Sequence, residues 1–150
     1  STMWNGSPTS SVFTLGSSSD TNGSGVTFTS YCFAGKTGFS KIGSYIGNGN
    51  VDGSFIYTGF KPAFVMIKNA DFASHWNIFT GDIPGYNQIN DTLQPDRDAA
   101  ENGTFAFDML SNGFKHRSDD VMDRNGDTHI YMAFAEAPLV GSNNVPATAR

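Results

Sequence analysis

Alternating apolar and polar residues along most of the chain predict short β-strands. The longest alternating segments cover residues 26–34 and 128–135, and both place apolar side chains on each face. A nearly all-apolar run at residues 63–67 is bounded by turn residues and predicts a central strand. Shorter candidates lie at 12–15, 41–46, 54–58, 75–79 and 113–117. The pattern predicts an all-β fold without a helix, a β-sandwich or jelly roll of about eight or nine strands.

An internal repeat connects the two ends of the chain. An offset of 101 (128 − 27) carries residues 27–34 onto 128–135 and matches Thr27 with Thr128 and Phe33 with Phe134. On this register the two segments are predicted to be equivalent inner strands, and 12–15 is predicted to pair with 26–34 across the loop 16–25. The register also aligns Cys32 with Ala133, which indicates a packing role for this cysteine.

The repeat suggests a division of the chain into three parts. Residues 1–35 are interpreted as the end of a preceding repeat or as an N-terminal hairpin of the same sandwich, and residues 36–136 as the main sandwich unit. Residues 137–150 have no apolar periodicity and are predicted to form an extended C-terminal tail on a neighbouring subunit.

Composition and charge exclude several classes of partner. The net charge is −5 and the basic residues are scattered singly, so nucleic-acid binding is not expected. No stretch approaches the ~20 apolar residues that a membrane-spanning helix requires, so no membrane insertion is expected. The single cysteine cannot form an internal disulfide.

Two loops are the expected contact regions. Residues 47–53, Gly-Asn-Gly-Asn-Val-Asp-Gly, predict a hairpin turn between the strands at 41–46 and 54–58. The polar residues of this turn, Asn48, Asn50 and Asp52, are candidates for surface binding. Residues 81–103 lack a strand pattern and predict a long surface excursion.

Aromatic residues beside turns suggest a possible sugar-binding surface. Trp76 and Tyr86 are the candidates, with Tyr45 and Tyr57 as further aromatics near turns. Aromatic faces next to Asn and Asp are typical of carbohydrate sites in β-sandwiches. The alternative, that these rings fill the core or a subunit contact, is favoured by this pattern.

The sequence gives only weak evidence for metal-binding or catalytic residues. Asp123, Asn125 and Asp127 resemble the start of a calcium loop, but Thr128 and Phe134 occupy the positions that need glycine and a bidentate carboxylate. A hairpin turn without a metal is therefore predicted, and no cofactor is expected. The histidines lack metal-ligand spacing, and the carboxylates for glycoside cleavage would have to come from a loop expected to be solvated, at Asp96, Asp98 and Glu101. No enzymatic activity is expected.

Several segments resemble one family of domains. Six segments are similar to uncharacterised domains of tailed-phage structural proteins, namely residues 31–34, 38–49, 57–68, 110–115, 130–138 and the ending 146–150. The resemblance implies a virion protein, often encoded in long chains with lectin-like β domains upstream. It implies no catalytic or ligand residues.

The expected function follows from this resemblance and from the acidic all-β composition. It is a non-enzymatic virion module, part of a tail fibre or appendage used in host-surface attachment. The alternatives are a capsid-surface decoration protein and a carbohydrate-binding domain. Expected partners are other virion proteins, further copies in a homo-oligomer (a trimer by analogy) and a host-surface glycan.

Overall fold

The computed structural model describes residues 2–82, 87–101, 103 and 105–137. The chain forms two compact units, Ser1–Cys32 and Phe33–Arg150. The predicted tail lies outside the described residues except for Ala137, and so does Tyr86.

Two antiparallel sheets make up the second unit. The larger sheet has the strand order β1-β7-β3-β4 and the smaller sheet the order β2-β6-β5. The all-β, two-sheet prediction is confirmed, with seven strands in the described residues in place of eight or nine; the jelly-roll connectivity stays a prediction. The strands are β1 Ser40–Ile46, β2 Phe55–Tyr57, β3 Pro62–Asn69, β4 Asn77–Thr80, β5 Phe107–Leu110, β6 Gly113–His116 and β7 Thr128–Ala135.

Aromatic rings join the two sheets face to face. The ring of Phe107 in β5 stacks on Phe79 in β4, with 4.2 Å between the centroids. Phe114 in β6 meets Tyr131 in β7 edge to face at 5.3 Å. Val65 and Ile67 in β3 are completely buried, which confirms the central strand predicted from the apolar run. This interdigitation of the two inner faces is typical of a β-sandwich core.

The predicted hairpin at residues 47–53 is wrong. β1 pairs with β7 and β2 pairs with β6, so this loop crosses from one sheet to the other. The turn chemistry is present, since Gly49 has a φ of +61°. Local turn residues fix a change of direction, but the choice of strand partner depends on which inward faces pack together.

The predicted surface excursion at residues 81–103 is wrong for its middle part. Ile89 is buried and pairs with Phe107 beside the smaller sheet, and Leu93 pairs with Ile78 beside the larger one. Thr92 is buried between them. The segment 89–93 therefore connects the edges of the two sheets and closes one side of the core, which a pattern without regular alternation did not show.

The strand predicted at residues 26–34 from the internal repeat is wrong. Residues 26–34 contain no strand, Tyr31 is 81% exposed and Cys32 is exposed. The predicted partner segment 12–15 forms one bridge, from Leu15 to Trp4, and among the described residues no strand pairs with residues 26–34. β7, the matching segment, has a neighbouring strand on each side.

One short helix, α1 Ser19–Asn22, occupies the loop where none was expected. The hydroxyl of Ser18 caps it by accepting from the backbone N–H of Asp20. In the described part of the chain, no helix has the length and apolar character needed to cross a membrane.

Candidate functional site

Three loops meet at one end of the sandwich, and we refer to them together as the loop end. Residues 47–54, 70–76 and 117–127 form it, because Ile46 of β1 pairs with Thr128 of β7 and Ala70 donates its N–H to the Thr128 carbonyl at 2.8 Å. The structure thereby brings together the two polar groups singled out in the sequence, Asn48, Asn50 and Asp52 with Asp123, Asn125 and Asp127.

Asp123 anchors the loop 47–54 from the inside. Its side chain is completely buried, and its two oxygens accept the N–H groups of Asn48 at 3.3 Å and Ser54 at 2.9 Å. Its carbonyl accepts the N–H of Gly49 at 2.7 Å. A Cβ on Gly53 would lie 2.6 Å from an Asp123 carboxylate oxygen, so only glycine fits there. The Asp123 carboxylate is therefore engaged with backbone N–H groups.

The other two weak metal candidates bind protein groups of their own. Asn125 forms a bridge with Gly47, and an Asp127 carboxylate oxygen accepts from the Asn69 side chain at 2.9 Å. The same oxygen lies 3.6 Å from the Arg124 guanidinium. Within the residues that the structure describes, no three His, Cys, Asp or Glu side chains are grouped so as to hold a metal ion.

The tip of the loop end is held in one conformation by its own side chains. Asn48 accepts the N–H of Asn50 at 3.0 Å, and Asn50 accepts that of Asp52 at 2.9 Å. The Asp52 carboxylate lies 3.0 Å from the Lys115 ammonium, whose hydrogen bond and charge lower the pKa of Asp52. Val51, between these residues, is 66% exposed. The loop thus presents Asn50, Val51 and Asp52 to solvent on an ordered turn.

Trp76 lies at the same end, partly exposed, directly before β4. The backbone N–H of Trp76 donates to the Asp96 carboxylate at 3.1 Å, and this carboxylate also lies 3.1 Å from the ring nitrogen Nδ1 of His75. Asp96, considered above as a catalytic carboxylate, holds the segment 94–97 against the start of β4. Tyr57 lies away from this end, in β2, and is exposed.

A cluster of the partly buried Tyr45 and the completely buried His116 and His129 supports the loop end from below. The ring of Tyr45 stacks on His129 at 4.9 Å, and its hydroxyl donates to the carbonyl of Met122. The Nε2 of His116, 2.8 Å from the Tyr45 oxygen, must then donate to it. Its Nδ1 consequently bears no proton, and among the described residues this atom has no hydrogen-bond partner.

No sequence pattern predicted this cluster. Metal-ligand spacing of histidines is a signal within one strand, whereas the three residues come from β1, β6 and β7. The alternation of inward and outward side chains along each strand was the signal that could have revealed the cluster. Tyr45 and His129 occupy inward positions of neighbouring strands, and each lies two residues from another inward position.

The family comparison adds an affiliation without an activity. Residues 1–138 match a family described as a domain of unknown function, DUF7483. The chain belongs to this family. No curated protein and no solved structure matches the chain. Because the DUF7483 match covers the first compact unit, the second unit up to residue 138 and the complete loop end, the network around Asp123 lies within the family domain.

Burial governs the charge states inside this DUF7483 domain. Burial lowers the pKa of His116 to about 4, although the nearby Asp123 carboxylate opposes the shift. Burial also raises the pKa of Tyr45 well above its usual value and raises the pKa of Asp120. His116 and Tyr45 are therefore neutral at pH 7, which suits two rings packed in a core.

We expect the DUF7483 domain to lose stability as the pH falls from about 6.5 to about 4. The pKa of His116 is 6.5 in the unfolded chain and about 4 in the fold, so the unfolded state binds more protons in this window. The difference, 6.5 − 4 or about 2.5, corresponds to roughly 3 kcal/mol. The raised pKa of Asp120 acts in the opposite direction, because a buried carboxyl gains from protonation, and reduces the net loss.

Urea unfolding at about pH 7 and about pH 5 measures this effect. In His116→Gln, the difference in unfolding free energy between the two pH values is expected to be clearly smaller than in the wild type. Equal differences in the two proteins would contradict the assignment to His116.

Proposed function

We propose that this DUF7483 domain is a non-enzymatic structural module of a phage particle, part of a tail fibre or similar appendage that attaches to the host surface. The observation that supports attachment is the pre-ordered loop end, which exposes Asn50, Val51 and Asp52 on a turn held by buried Asp123. The sequence resemblance to tailed-phage domains supports the particle as its location.

Pre-ordering favours recognition for an energetic reason. A loop that is disordered before binding loses conformational freedom in the complex, and this loss subtracts from the affinity. The backbone of the loop 47–54 is fixed by hydrogen bonds to Asp123, Asn48 and Asn50 before any partner arrives. A rigid sandwich that carries such a loop at one end is a common design for surface recognition.

A carbohydrate ligand is the second candidate for the same surface. Trp76 lies partly exposed at the loop end beside the His75–Asp96 pair, which is an aromatic face next to polar groups. A host-surface glycan bound there would make attachment depend on the Trp76 ring. The two candidates therefore differ in which side chain carries the binding.

Binding of the purified protein to host cells tests the proposal. Val51→Asp changes the exposed tip without removing a buried contact, and we expect it to reduce binding at least about tenfold. Ser111→Asp, in the exposed turn between β5 and β6, adds the same charge away from the loop end and should leave binding unchanged.

Loss of binding in Trp76→Ala, with Tyr57→Ala as its control, would identify the glycan mode. Equal binding by Val51→Asp, Trp76→Ala and wild type would contradict attachment through the loop end.

A further inference from the structure

The outer face of the four-stranded sheet carries mostly apolar side chains. Tyr131 and Ala133 are buried on the core side of β7, so the residues that alternate with them face outward. By the same parity and register, the outward residues of the four strands form a surface that we call the apolar face. Its large side chains are Ile42, Ile46, Phe64, Met66, Ile78, Ile130, Met132 and Phe134.

The register makes this surface continuous. Ile42 lies opposite Met132, Met132 opposite Met66, and Met66 opposite Ile78, so one apolar row crosses all four strands. A second row contains Phe64, whose ring centroid is 5.9 Å from that of Phe134. Proteins that act as monomers rarely expose contiguous apolar patches of this kind.

Charge is nearly absent from the apolar face. Lys68 is the one charged residue at its outward positions in the described strands, and its ammonium folds back onto the Asn69 carbonyl at 3.1 Å. The smaller sheet is different. On its outer side Arg117 lies 2.6 Å from Asp108, and Lys115 contacts Asp52. The two outer surfaces of the sandwich therefore have different chemistry: in the described strands the smaller sheet carries ion pairs beside exposed aromatic residues, and the larger sheet carries a mostly apolar surface.

The apolar face is open around Ile42 and Ile130, which are 42% and 40% exposed. At its other end the rings of Phe33 and Phe39 each lie 6.0 Å from the ring of Phe134 and cover it in part. Strands of 7, 8, 8 and 4 residues cover roughly 400 Å² in projection, from about 3.3 Å per residue and about 4.8 Å between strands. Accessible area exceeds projected area, so two such faces would bury on the order of 1,000 Å², the size of a weak but specific complex.

We propose that the apolar face binds the apolar face of a second copy of this chain. The chain carries a net charge of −5, so two copies repel each other where their acidic groups approach. The apolar face avoids this repulsion and removes two water-exposed hydrophobic surfaces at once. This inference rests on the proposed structural role, because particle modules assemble from repeated copies.

Sedimentation of the full chain across the micromolar range tests the interface. We expect the wild type to self-associate, and Ile42→Asp/Ile130→Asp to raise the dissociation constant at least about tenfold, because four carboxylates would be buried in each dimer. Phe55→Asp is the matched control. Phe55 is 46% exposed but lies on the smaller sheet, so this variant should associate like the wild type.

A second variant keeps the test independent of folding. Ser44→Arg adds a large charged group at an exposed position of the apolar face without removing a packed side chain. We expect this variant, too, to have a raised dissociation constant for the dimer. A wild type that stays monomeric at every concentration tested would overturn the proposal. Association of both variants at wild-type strength would overturn it too. Neither result would affect the cell-binding test at Val51, which lies outside the apolar face.

Discussion

Phe107→Ala is expected to reduce the free energy of unfolding by about 3–5 kcal/mol. Phe107 is completely buried, and its ring stacks on Phe79 at 4.2 Å and on Phe114 at 5.3 Å. It therefore contacts β4 of the larger sheet and β6 of its own sheet. Removing the ring leaves a cavity between the two layers, which the surrounding strands can fill only in part.

Equilibrium denaturation with urea measures the effect of Phe107→Ala. The control is Phe55→Ala, because Phe55 lies on the outer side of the smaller sheet and is 46% exposed, and it should cost less than about 1.5 kcal/mol. If Phe107→Ala cost no more than the control, the two sheets would not pack through this ring.

Asp123→Ala is expected to cost about 2–4 kcal/mol. The substitution leaves the N–H groups of Asn48 and Ser54 without their acceptor in a buried site, and such groups cannot recover the bonds they would make with water. The backbone of the loop 47–54 should loosen. Hydrogen exchange at the amides of Asn48 and Ser54 should therefore accelerate more than exchange in β3.

Two variants provide the controls for Asp123. Asp119→Ala removes an exposed carboxylate from the same loop and should change stability by less than about 0.5 kcal/mol. Asp123→Asn keeps one oxygen acceptor, so its effect should lie between the other two. A loss in Asp123→Ala as small as that in Asp119→Ala would show that this carboxylate does not anchor the loop.

The sequence patterns predicted those parts of the fold that depend on burial within one strand. The apolar run at 63–67 lies in β3, and the alternating segment 128–135 forms β7. Each has apolar side chains that are stabilised by burial on the core side of the sheet. The composition of the loop at residues 47–53 also led to Asn48, Asn50 and Asp52, which the structure places together with Asp123.

Features that depend on distant partners could not be predicted in this way. The segment 26–34 has the same pattern as β7, but within the described part of the chain no strand pairs with it, and it forms no strand itself. Ile89 is buried because it bridges to Phe107, a contact 18 residues away (107 − 89). The polar cluster of Tyr45, His116 and His129 needs three strands from two sheets, and no local spacing marks it.

One structural consequence follows from both the tyrosine–histidine cluster and the buried Asp123 carboxylate. Asp123, Tyr45 and His116 lie beneath the exposed tip and connect it to β1 and β6. Stability of the core and order of the loop end should therefore be coupled, so that substitutions at Asp123 weaken both folding and attachment. Substitutions at the exposed Val51 should weaken attachment alone.

Labelling of intact phage particles with an antibody against this domain tests the proposed role most directly. The account predicts label at the tail fibres or a similar appendage. Label spread over the capsid faces would contradict the appendage role and indicate shell decoration. Purified particles that carry no label at all would contradict a virion function.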